Sequence, residues 1–154
     1  MRFSVPSFAT LVLLAVSVAP VCASGFDDKI PDEQSIRALQ IKANHAQPRE
    51  QCYLYAELVH EMTEYSLRQY ASGDVEKAAE LLRQIQPLTH KIHLSVADND
   101  KRLKSAEMLL RHTAFRLNEM LHTSSFEDRT LVEQTLAQVN QAQTEAMMQV
   151  FRNP

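Results

Sequence analysis

Residues 103–122 read Leu103-Lys104-Ser105-Ala106-Glu107-Met108-Leu109-Leu110-Arg111-His112-Thr113-Ala114-Phe115-Arg116-Leu117-Asn118-Glu119-Met120-Leu121-His122, and they carry two stripes at helical spacing. Leu103, Ala106, Leu110, Leu117 and Leu121 form the first, with Thr113 and Ala114 at its middle step. Met108, His112, Phe115, Glu119 and His122 form the second, on nearly the opposite side of the helix. A helix with one apolar seam lies on a surface, whereas one with two is normally covered on both sides. The second stripe mixes apolar residues with two His and a Glu. It is therefore the place to look for chemistry or for a partner, and a cover is expected over it: a short N-terminal helix or a second chain.

The rest of the chain extends the helical reading. In 154 residues there are two Gly and no Trp, with 45% hydrophobic and 23% charged residues. So few glycines and no Trp argue against an all-β fold, which needs many turns. No segment alternates with period two for long enough to propose a sheet. The net charge of −3 comes with no basic run and no basic stripe with interleaved aromatics, which argues against a nucleic-acid partner.

The first residues read as a targeting signal. Arg2 supplies a positive start, Phe8 to Val18 an apolar core too short to span a bilayer comfortably, and Val21-Cys22-Ala23 a cleavage site. Residues 1–23 are expected to be a secretory signal peptide and 24–154 a single helical-bundle domain, exported to the periplasm or secreted, with no membrane span after cleavage. A lipoprotein signal modified at Cys22 and a retained anchor are the alternatives, and Val21 is a poor fit to the first. Cleavage leaves Cys52 as the only thiol in an oxidising compartment. It is either a small core residue or, near a helix N-terminus that lowers its pKa, a reactive thiol or intermolecular disulfide.

Pro31, Asp32 and Glu33 start a short helix with a stripe of Ile36, Leu39 and Ala43 that ends near His45. After Pro48 a second helix runs from about Arg49 to Ser72. Tyr55, Leu58, Val59, Met62, Tyr65 and Ser66 share one face, and Glu57, His60, Glu64 and Arg68 the opposite one. Gly73 is placed to end it and Asp74 to cap the third, Val75 to Ala97, whose stripe is Ala78, Leu81, Leu82, Ile85, Leu88, Ile92 and Val96. Pro87 projects away from that stripe and can bend the helix around the core; the alternative is two shorter helices meeting at Pro87. Asp98-Asn99-Asp100 is a turn before residue 103. Ser124 and Glu127 match a capping box for the last helix, Phe126 to Phe151, with a seam of Val132, Leu136, Val139, Gln143, Ala146 and Val150. The expected fold is all-α: an up-down-up-down bundle of four long helices plus a short N-terminal helix outside it or across one end.

The stretch Tyr70-Ala71-Ser72-Gly73-Asp74-Val75-Glu76-Lys77-Ala78-Ala79 resembles the turn of a tetratricopeptide hairpin. No second copy follows at a 34-residue period, so the resemblance implies a helix–turn–helix join and not a solenoid. The stretches Gln47-Pro48-Arg49-Glu50-Gln51-Cys52 and Lys104-Ser105-Ala106-Glu107-Met108 resemble those of small exported α-helical bacterial proteins with no assigned function. That resemblance implies export and a helical fold, and no activity.

Two Glu-x-x-His motifs, Glu57/His60 and Glu119/His122, have the spacing of carboxylate di-iron bundles, with Glu80, Glu133 or Glu145 as single ligands. Phase and depth count against it: both motifs lie away from the main stripes of their helices, and they stand roughly 18 Å apart along the bundle. His90 and His93 are three apart and are either a solvated face or, with a carboxylate from a neighbouring helix, ligands for one transition-metal ion. Covalent haem is excluded by the lack of Cys-x-x-Cys-His, which leaves noncovalent haem through His and Met62, Met108 or Met120. No phosphate loop, Gly-x-Ser-x-Gly or His-Glu-x-x-His is present, and no cofactor is expected. The reading is a binding or protein-interaction module, met by a protein partner or a second copy at Met108, His112, Phe115, Glu119 and His122. The alternatives are a metal- or haem-binding bundle and a periplasmic chaperone-like stress protein.

Overall fold

The computed structural model describes residues 30–96 and 102–152. They form five helices: α1 (Glu33–His45), α2 (Pro48–Ala71), α3 (Val75–Ser95), α4 (Leu103–Thr123) and α5 (Phe126–Arg152). No strand occurs among the described residues, and no helix there is long and apolar enough to cross a membrane. The expected signal segment with Cys22, and the Asp98-Asn99-Asp100 turn, lie outside the described residues.

Local chemistry sets the helix ends. Asp32 caps α1 in a reciprocal box with Ser35: its carboxylate accepts from the Ser35 amide at 2.6 Å, and the Asp32 amide donates to Ser35 Oγ at 3.0 Å. α2 ends in a Schellman motif. The Asp74 amide donates to the Gln69 carbonyl and the Gly73 amide to that of Tyr70. This turn needs the positive φ of 89° that Gly73 adopts without strain. Asp74 then caps α3 through the Lys77 amide. Pro87 lies inside α3 and is exposed, on the side away from the core. The cap of α5 is one residue later than expected. Ser125, not Ser124, accepts from the Asp128 amide, and its hydroxyl donates to the Asp128 carboxylate at 2.7 Å. Ser124 instead closes α4, donating to the Met120 carbonyl.

α2 packs on α1, α3 and α4; α5 packs on α3 and α4; α3 and α4 share no packing contact. Consecutive helices are thus neighbours at α1/α2, α2/α3 and α4/α5, whereas α3 to α4 is a step across the molecule. Two hairpins, α2–α3 and α4–α5, lie side by side. His60 meets Thr113, Glu64 meets Arg116 and Tyr70 meets Ser125, so α2 and α4 run in the same direction. Thr89 meets Gln138 and His93 meets Glu145, so α3 and α5 do likewise.

The core is one cluster, dominated by Leu58, Leu82, Ile85, Ile92, Leu110, Leu117, Val132 and Val139, each at most 1% exposed. The stripes expected on α3 and on the leucine side of α4 face it, although Leu121 is only partly buried. The α5 seam is rotated slightly: Val132, Thr135, Val139, Ala142 and Ala146 are buried, while Leu136, Gln143 and Val150 flank them. Gln143, the polar break in the expected seam, donates to the buried Glu107 at 2.8 Å, and Arg111 donates to the same oxygen. Paired in this way, a carboxylate only 5% exposed avoids the penalty of an uncompensated buried charge.

Candidate functional site

No described residue covers the second stripe of α4. Met108 is 54% exposed and Phe115 58%, and His112, Glu119 and His122 are exposed with them. The expected cover is absent among the described residues because α1 docks elsewhere. Ile36 and Ala43 are buried where α1 lies on α2. Tyr55 donates from its hydroxyl to Asn44, the Arg68 guanidinium donates to the Pro31 carbonyl, and Lys77 reaches Glu33 from α3. Anchored at both ends in this way, α1 does not reach α4. The outward face of α4 therefore presents Met108 and Phe115, two turns apart, among His, Glu, Lys and Arg side chains.

Beside this face lies the α2/α4 seam. Glu57, His60, Glu64 and Arg68 do face away from the α2 stripe, but that direction is not solvent: all four are partly buried, because α2 has neighbours on three sides. His60 Nδ1 is 3.1 Å from Thr113 Oγ1, and its ring centre is 5.0 Å from that of His112. Burial pushes His60 below its ordinary pKa of 6.5; Glu64 pulls the other way, and His112 and Arg116 add to the depression. Arg116 donates to both Glu64 oxygens, at 2.7 and 3.1 Å, and also to Glu119. The hydrogen bond to Glu64 is the main cause that raises the Arg116 pKa.

The residues considered for metal fall into separate places. Glu57 bonds to Tyr53, His60 to the α4 seam, and Glu119 to Arg116. With residue 60 beside 112–113 and 64 beside 116, Glu119 stands level with about residue 67, roughly 15 Å along α2 from Glu57. His122 is exposed. No group of three or more His, Cys, Asp or Glu side chains among the described residues is arranged to hold a metal ion. Of the methionines considered for haem, Met62 and Met120 are packed in the core and Met108 is on the surface. Cys52 is fully buried, and desolvation pushes its thiol up to about 12 against a smaller lowering effect of Ser95. It sits in the core, out of contact with solvent.

His90 and His93 occupy a third place, on α3. Their rings are stacked with centres 6.0 Å apart, and His93 Nδ1 is 2.6 Å from Glu145 Oε2 on α5. Reading the sequence by helix faces missed the pairs His60/His112, Glu64/Arg116 and Glu107/Gln143. Each joins two helices, and only the register between the helices, which periodicity does not contain, reveals it. No protein-family model, no curated protein and no solved structure matches the chain.

Proposed function

We propose that the chain is an exported protein-interaction module. In this reading it is an up-down-up-down bundle of four long helices with α1 laid along α2, and it offers the outward face of α4 to a protein partner or to a second copy. The observation that carries the reading is the exposure of Met108 and Phe115 on one face, 54% and 58%, with no helix over them among the described residues. Apolar side chains spaced along one exposed helix face, within a rim of mixed charge, are what a helix-facing interface presents. Phe supplies the large rigid contact area that anchors such an interface, and Met adapts to an irregular one.

Photocrosslinking from position 115, in the cells that make the protein, tests the proposal. Position 84, exposed on α3, serves as the control. A discrete protein adduct from 115 and none from 84 is expected, weakened when Met108 is replaced by Ser. If 115 forms no discrete adduct, or the same ones as 84, the reading is wrong.

A further inference from the structure

We propose that His90 and His93, backed by Glu145, form an exchangeable chelating site for a borderline divalent transition-metal ion such as Zn2+ or Ni2+. The two imidazoles stand one turn apart on α3, at the edge of a cleft of about 290 Å³ between α3 and α5. Glu145 approaches from α5. One of its oxygens accepts from Gln141 at 3.1 Å, and the other lies 2.6 Å from His93 Nδ1. A carboxylate accepts, so Nδ1 of His93 is the nitrogen that carries the proton toward Glu145, and Nε2 is the nitrogen left to meet an ion. A carboxylate behind a histidine fixes the tautomer and ring orientation of a metal ligand in this way and raises its basicity.

The second ligand is His90. Two imidazoles that share an ion at about 2.0–2.1 Å from each nitrogen have ring centres about 5–6 Å apart. The observed 6.0 Å is at the edge of that range, but the rings are stacked at 23°, so the exposed His90 ring has to turn about its side-chain bonds to aim a nitrogen at an ion held by His93. The rest of the cleft favours a cation. It is lined by Gln86, Thr89, Gln138, Gln141 and Ala142 besides the His and Glu residues, and by no Lys or Arg. With two protein ligands and water completing the shell, the site is open. It suits uptake and release of an ion rather than permanent retention. Imidazole donors select Zn2+, Ni2+ or Cu2+ over Mg2+.

Isothermal titration calorimetry of the metal-free protein at pH 7.5 decides the matter, with Zn2+ as the probe and Mg2+ as the control ion. Saturable Zn2+ binding is expected, with no Mg2+ response. The double variant H90Q/H93Q should lose it, and E145Q should weaken it roughly tenfold. H112Q should bind as the wild type does. All four substituted positions lie outside the core, and circular dichroism checks that each variant keeps its helices. A Zn2+ isotherm that is absent, or unchanged in H90Q/H93Q, overturns the site. An E145Q variant that binds as tightly as the wild type overturns the role given to Glu145.

Discussion

Leu110 and Phe115 belong to the same helix, yet one is fully buried and the other 58% exposed. Truncating Leu110 removes core contacts and leaves a cavity, so Leu110→Ala is expected to lower unfolding stability by about 2–5 kcal/mol. Truncating Phe115 takes away surface already in water, so Phe115→Ala is expected to cost less than about 1 kcal/mol. Urea unfolding of both variants checks the contrast. A loss at Phe115 as large as that at Leu110 would mean that the aromatic ring is covered in solution. The leucine stripe is legible in the sequence because burial on one helix face imposes its period directly. The outward stripe is legible as a pattern, but whether a helix covers it depends on where α1 docks, and that is decided by Ile36, Ala43 and their partners on α2.

At the scale of elements, two turns at one end of the molecule are joined through a single hydroxyl. The Ser125 amide donates to Tyr70 Oη at 2.8 Å, and the same hydroxyl donates to Asp128 at 3.4 Å. Tyr70 thus ties the last turn of α2 to the cap of α5. Tyr70→Phe should cost about 1 kcal/mol, the net worth of such a bond, with an unchanged denaturant m-value. A loss below about 0.3 kcal/mol would show that water replaces the hydroxyl fully. Helix limits were legible because Asp32, Gly73 and Asp74 each have a local reason to start or stop a helix. The cap falls at Ser125, one residue past the position the sequence favours; Ser124 and Ser125 are chemically alike. Only the contact with Tyr70, from another element, separates them.

For the molecule as a whole, the α2/α4 seam links stability to pH. His60 takes up a proton less readily when folded than its ordinary 6.5, so the unfolded chain protonates first as pH falls. Its contribution is intact above pH 6.5 and is lost as pH drops through that value and below. Facing it are Glu64 from α2 and His112 and Arg116 from α4. H60Q keeps a side chain able to bond Thr113 and does not titrate. The stability of the wild type should therefore fall more steeply than that of H60Q between pH 7 and 5, in chemical denaturation at each pH. Parallel curves would remove His60 as the cause. The layout also bears on how the chain finds this state. Each hairpin closes through a two- or three-residue turn, Ser124 and Ser125 in one and residues 72–74 in the other. Contacts between the hairpins join residues about fifty apart, as at His60 and Thr113. Loop-closure entropy therefore weighs lightly on forming each hairpin and more heavily on bringing the two together.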